Sequence, residues 1–256
     1  MRTRSANGLS SRADGLEVER GSGGMVLTMR WPVRSGARLD AAMAIQLMEL
    51  AQEAEDDDAV RLIALTGSGA WFCAGFEPDI DPRLVETFAA LSKPTVGIIN
   101  GAAVDEGFEL AMALDIRVAS PAARFALTQV SRGLIPVFGG TQRLPRIIGQ
   151  TAALKAILTG EEIGAREALR LGLVTRLAPR AQALAKTASQ MLDELSARGP
   201  IALKLAKEAV LKGADMTLPQ GIRLEEDLYA LLQTTADRAE GVRAFLEKRK
   251  PLFKGE

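Results

Sequence analysis

Residues 104–115, VDEGFELAMALD, place three carboxylates, Asp105, Glu106 and Glu109, within five positions and then turn apolar at helical spacing. Two chemistries suit that pattern. One is capping: acidic residues at a helix entrance accept from the free N–H groups of the first turn and complement the helix dipole, each for about 0.3–1 kcal/mol. Capping accounts for Asp105. The other is an acid–base pair. Glu106 and Glu109 are three residues apart and share a helix face. Close carboxylates in a desolvated pocket raise one another's pKa, which leaves one as acid and one as base.

The rest of the chain narrows the reactive groups. It contains no histidine, which excludes Ser-His and Cys-His nucleophile systems and histidine-ligated metals. Acid–base work near neutral pH therefore falls to Asp, Glu, Lys, Tyr or Cys. The single cysteine, Cys73, rules out an intrachain disulfide and suggests a reducing, cytoplasmic setting. With no histidine to activate it, Cys73 reads as a small buried residue. The glycine turns GSGA and FGGT lack the lysine of a phosphate loop, so nucleotide hydrolysis is not expected.

The elements that must carry these residues are legible from periodicity. Residues 16–30 alternate around Gly-Ser-Gly-Gly and predict a hairpin. From Leu39, apolar residues at 39, 43, 47, 50 and 54 predict a helix with an acidic, solvated exit, EAEDDD. VRLIALTG (60–67), SKPTVGIING (92–101) and DIRVAS (115–120) read as buried strands. FGGTQRLPRIIG (138–149) reads as a loop entering a helix, and 153–174 as two helices broken at Gly160. The tail is helical, with breaks at 198–200 and around Pro219, and Tyr229 is expected to pack within it. Strand and helix alternate, which predicts a mixed α/β domain with buried parallel strands.

The chain of 256 residues is 47% hydrophobic and 25% charged, as suits a globular protein with a sizeable core. Its 32 basic and 32 acidic residues cancel, so nothing global points to nucleic acid or a membrane surface. No apolar run approaches the roughly 20 residues of a membrane span. Residues 1–15 lack the apolar segment of a secretory signal and are expected to be a disordered lead. The core is expected over 16–198 and a C-terminal helical region over 199–256.

Six stretches, in order, resemble the crotonase, or enoyl-CoA hydratase/isomerase, superfamily: LTGSGAWFCAGFEPD (65–79), KPTVGIING (93–101), GFELAMALDIRVAS (107–120), FALTQVSRGLIPVFGGTQRLPRIIG (125–149), LTGEEIGAREALRLGLV (158–174) and EGVRAFLEKRKPLF (240–253). The resemblance implies an α/β spiral of ββα units followed by helices that build homo-oligomers, trimers or dimers of trimers. It implies an acyl-CoA thioester as substrate, with coenzyme A arriving as part of that substrate and no separate cofactor or metal. An oxyanion hole of two backbone N–H groups would stabilise the enolate, and removing one such donor typically costs about 2.7–4 kcal/mol.

By position, those donors are the N–H groups of Phe76 and Glu106. The family usually has glycine at 105, 106 and 107, where this chain has Asp-Glu-Gly. Glu106 is therefore expected to tolerate both the close approach of a ligand and an unusual φ. Of the two glutamates of the family's hydratases, one falls on Glu109 and the other on Gln129, whose amide positions water without exchanging a proton at neutral pH. The candidate catalytic residues are thus Glu109, Gln129 and Glu106. Ala74, Gly75, Gly107, Leu134, Pro136 and Gly139 would line the substrate, and Lys250 would lie near the CoA phosphates. Glu77 and Asp79 read as solvated loop carboxylates. The short segment between Phe76 and Lys93 predicts an open or reshaped acyl pocket. Apolar Val137 stands where relatives with dienoyl isomerase or dehalogenase chemistry carry aspartate. The reaction implied most simply is hydration of a 2-enoyl-CoA. Isomerisation, decarboxylation or hydrolysis through Glu109, or acyl-CoA binding without turnover, are the alternatives.

Overall fold

The computed structural model describes residues 10–13, 15–21, 23–31 and 35–256. Residues 1–9 and 14 of the expected lead lie outside the described residues. Ser10–Ala13, within that lead, forms a strand. In chain order the strands are β1 (Ser10–Ala13), β2 (Leu16–Gly21), β3 (Gly24–Met29), β4 (Leu62–Thr66), β5 (Trp71–Cys73), β6 (Thr95–Ile99), β7 (Ala102–Val104), β8 (Ile116–Ala119), β9 (Arg124–Ala126), β10 (Ile163–Gly164) and β11 (Arg176–Leu177). The helices are α1 (Ala41–Asp56), α2 (Arg83–Ala90), α3 (Glu106–Ala113), α4 (Gly140–Ile148), α5 (Gln150–Thr159), α6 (Ala165–Arg170), α7 (Leu184–Ser196), α8 (Pro200–Gly213), α9 (Leu218–Gln233) and α10 (Ala236–Leu246).

The strands form a seven-stranded sheet, β1-β2-β3-β4-β6-β8-β11, and a four-stranded sheet, β10-β9-β7-β5. The hairpin β2-β3 is antiparallel, as its alternation predicts, whereas β3, β4, β6, β8 and β11 run parallel. Three successive turns send one strand to each sheet and then form a helix: β4-β5-α2, β6-β7-α3 and β8-β9-α4. This is a ββα spiral. LIALT and TVGII can be apolar almost throughout because both of their faces are covered. Helix α1 starts where Asp40 accepts from Met43 N–H at 2.8 Å, and it buries Met43, Ala44, Leu47, Ala51 and Ala54.

The acidic exit of α1 is not simply a solvated face. Glu53 and Asp57 pair with Arg20 at 2.5 and 3.0 Å, and Glu55 accepts from the Ser92 backbone. Buried Lys93 donates to the Ala54 and Asp57 carbonyls at 2.7 Å each, capping the helix.

The C-terminal helices are tied to the spiral at a few points. Arg61 donates to the carbonyls of Ser196 and Phe253, and Lys207 pairs with Asp115 at 2.7 Å. Helices α8 and α9 have no fully buried residue. Tyr229, expected to pack, is instead 61% exposed on α9, because no element among the described residues covers it.

The second turn of the spiral aims α3 at the middle of the molecule. Gly107 makes that possible, since a Cβ there would stand 2.2 Å from the Cys73 carbonyl oxygen of β5. Gly107→Ala is expected to lower stability by about 3 kcal/mol, because the obstacle is backbone. Urea midpoints of the two proteins check this.

Candidate active site

Helix α3 is short and almost wholly buried, and its first turn carries Glu106 and Glu109. Glu109 has no exposed surface. One carboxylate oxygen, Oε1, accepts from the N–H groups of Phe138 and Gly140, both at 2.8 Å. These belong to the entrance of α4, whose free N–H groups and dipole favour an anion. The other oxygen, Oε2, accepts from Gln129 Nε2 at 3.3 Å. Burial nevertheless outweighs the two N–H bonds. Together with the Glu106 and Asp105 charges, it pushes the Glu109 pKa up from 4.5 to about 7. A buried carboxyl titrating near neutrality can both give and take a proton.

Gln129 opens a single 3-10 turn, Gln129–Arg132, two residues after β9 and is itself buried. Its Oε1 is buried and has no hydrogen-bond partner among the described residues. The glutamine thus offers a free acceptor beside the carboxyl group.

Asp105 departs from the capping expectation. It occupies the N-cap of α3 but makes no side-chain cap bond. Its carboxylate turns away to accept from Thr128 N–H at 2.6 Å and Thr128 Oγ1 at 2.9 Å, and it pairs with Arg132 at 2.7 Å. Its backbone sits at φ 49°. The unusual φ expected of Glu106 therefore falls on Asp105, and the close backbone approach falls on Gly107. The Thr128 and Arg132 bonds hold the strained residue in place and lock the turn bearing Gln129 to the head of α3.

Phe76 N–H, the first expected donor, points into the same region but is occupied: it donates to Glu106 Oε2 at 3.2 Å. Glu106 N–H belongs to the first turn of α3, where a helix supplies no acceptor of its own. The phenyl ring of Phe76 packs edge-on against Phe138, centroids 5.3 Å apart. Ala74 and Gly75 link β5 to Phe76, with Gly75 at φ 130°. Pro136 is buried against Gly140, while Leu134 is 58% exposed on the loop that ends at Gly139. Arg143 reaches from α4 to Glu86 of α2 at 2.7 Å across the shortened segment. Glu77 and Asp79 are solvated, as expected, with Glu77 near Arg38 at 3.4 Å.

Lys250 does not join this cluster. It is exposed on the C-terminal tail, in a cleft shared with Glu240, Arg243 and Arg249. Cys73 is fully buried, its thiol donates to the Gly75 carbonyl, and burial pushes its pKa up to about 12. The native protein is therefore expected to leave thiol reagents unreacted at pH 8 and to react once unfolded in urea, as a timed disulfide-exchange assay would register.

The structure brings together Glu109, Gln129, Phe76 and Glu106, four residues that the sequence reading singled out. That reading missed the paired N–H groups of Phe138 and Gly140, for which the turn FGGT ahead of a helix was the available signal. It also missed Arg38, Thr128 and Arg132, which no spacing marks.

The enoyl-CoA hydratase/isomerase family model matches residues 19–256. The chain is 35% identical to 2,3-dehydroadipyl-CoA hydratase of Escherichia coli (strain K12) over 90% of its own length and 95% of that protein's. It is likewise 35% identical to 1,2-epoxyphenylacetyl-CoA isomerase of the same organism, over 93% and 97%. Among solved structures, an enoyl-CoA hydratase from Bacillus anthracis superposes with a TM-score of 0.90 at 32% identity, covering 94% of this chain and all of that one. Both the fold and the sequence match extend through the spiral and the C-terminal helices, and on that ground the chain belongs to the enoyl-CoA hydratase/isomerase family.

Proposed function

We propose that the protein is an enoyl-CoA hydratase that works through one carboxyl group. The observation that carries this reading is Glu109: buried, tuned to about pH 7, and set beside an unpartnered amide oxygen of Gln129. The thioester carbonyl accepts from the N–H groups of Phe76 and Glu106. Gln129 Oε1 accepts one hydrogen of a water molecule, and ionised Glu109 takes the other as the water oxygen bonds to Cβ. The electron pair of the double bond moves through Cα to the thioester oxygen, which the two N–H groups stabilise. Glu109 then returns its proton to Cα as the enolate collapses. The product is the 3-hydroxyacyl-CoA, with no net proton change and no cofactor.

Isomerisation is the second reading, favoured by the fact that Gln129 cannot exchange protons. The same Glu109 would then carry a proton between Cγ and Cα of a 3-enoyl-CoA. The test is absorbance of the conjugated enoyl thioester with 2-enoyl- and 3-enoyl-CoA panels, 2,3-dehydroadipyl-CoA included, with product masses. Loss of absorbance with gain of one water supports hydration. Appearance of conjugation at unchanged mass supports isomerisation. Neither change, with CoA esters still bound, overturns both and leaves decarboxylation, hydrolysis or binding without turnover.

The exposed apolar residues of α8–α10, among them Val210, Leu218, Tyr229 and Phe245, suit burial against further copies of the chain. We propose a homo-oligomer on this basis, expected to sediment as a trimer or hexamer, and a monomer in sedimentation equilibrium would overturn it. No helix among the described residues is long and apolar enough to cross a membrane.

A further inference from the structure

The donor assigned to the thioester oxygen is already in use. Phe76 N–H donates to Glu106 Oε2, and the same residue, Glu106, contributes the other donor through its backbone. Glycine at this position would have no side chain to place there, so the occupancy comes from this chain's own glutamate. The carboxylate oxygen stands over Gly75, since a Cβ built on that glycine would lie 2.7 Å from it. The same point is 3.0 Å from Arg38 Nη1, so the Arg38 guanidinium borders the space that Glu106 fills. Arg38 is held there by a bond to the Phe76 carbonyl and by Glu77 at 3.4 Å.

We propose that Glu106 fills the oxyanion site of its own enzyme. Its carboxylate competes with the substrate's thioester oxygen for Phe76 N–H, and Arg38 receives it when substrate displaces it. This rests on the acyl-CoA reading above. Two consequences follow from charge. A carboxylate left beside the developing enolate would oppose it, and the guanidinium offsets that repulsion once the side chain has swung over. A ligand must also replace a charge-assisted bond with a neutral one, so the site discriminates against weak acceptors and favours groups that carry negative charge on the oxygen. Glu106 acts here by occupancy, not by proton transfer.

The experiment is calorimetric titration of the full-length protein with butyryl-CoA and octanoyl-CoA, each paired with the S-alkyl-CoA thioether of equal chain length, which lacks the carbonyl oxygen. Glu106→Ala is expected to bind both thioesters about tenfold more tightly than wild type, the change that a single charge-assisted hydrogen bond carries. Thioether affinity should not move. Unchanged or weakened thioester binding in a variant that still binds the thioethers overturns the proposal. If Glu106→Ala binds neither class, Glu106→Gln decides: it keeps the volume and drops the charge, and it must tighten the thioesters alone. Arg38→Met should weaken thioester binding more in wild type than beside Glu106→Ala, and additive effects remove Arg38 from the account. Wild type that binds no CoA ester overturns the acyl-CoA reading itself, an outcome distinct from all of these.

Discussion

Glu109→Gln is expected to lower turnover of the enoyl-CoA substrate by about 10²–10⁴-fold while making the protein more stable at alkaline pH. The loss follows from removing the carboxyl group assigned to carry the proton, a contribution that falls in that range. The gain follows from the raised pKa. A carboxyl group held near 7 in the folded protein and near 4.5 when unfolded favours folding in its protonated form. That stability is fully present below about pH 4.5 and is lost as pH rises through about 7, amounting to about 3 kcal/mol. Glutamine does not ionise, so the variant escapes the loss. Its Oε1 can keep the Phe138 and Gly140 N–H bonds, and its Nε2 can supply the donor that Gln129 Oε1 lacks, once the Gln129 amide turns over. Urea midpoints should agree near pH 4.5 and separate by pH 8. Wild-type kcat/KM should rise with pH through about 7, the ionised base being the active form, and the residual rate of the variant should be flat. A variant that stays active, or one that loses stability at pH 8, contradicts the assignment.

On the proposed hydratase mechanism, Gln129→Glu is expected to raise hydration by about 10²-fold, the lower end of what a second positioned acid–base group supplies. It would place a second carboxyl where Nε2 now lies 3.3 Å from Glu109 Oε2. Two buried carboxyls at that distance share a proton, and they titrate as a pair with well-separated apparent values. The pH profile should change from a single rising limb to a bell. Stability should fall at alkaline pH, where both groups must ionise without solvent. Steady-state rates across pH 5–9 read the outcome. An unchanged rate with an unchanged profile would mean that the water does not sit between these two side chains.

Most elements were legible because their cause is local. The alternation of residues 16–30 builds β2 and β3 whatever surrounds it, and the apolar runs 62–66 and 95–99 can only be buried strands. Gly160 stops α5 at φ 66°, as its position between two helical patterns implied. Less of the site was legible. Asp105 looked like a cap, yet a cap needs a side chain turned toward its own helix. Thr128 and Arg132, 23 and 27 residues further on, offered a carboxylate better partners. Tyr229 looked like packing because helical periodicity records which residues share a face. It does not record whether that face meets this chain or another.

The sequence by itself determined which groups exist to do chemistry: no histidine, one cysteine, a glutamate at 109 and a glutamine at 129. It also determined the order of strands and helices that carries them and the family motifs through which they were assigned. Only the tertiary structure decided what each carboxylate does. Asp105, Glu106 and Glu109 carry the same carboxylate group within five positions, yet one braces a strained turn, one fills a donor site and one titrates near neutrality. The reason is that a carboxylate's behaviour is set by desolvation and by the donors it meets. Those donors, on Phe76, Thr128, Phe138 and Gly140, come from segments that only the spiral brings together.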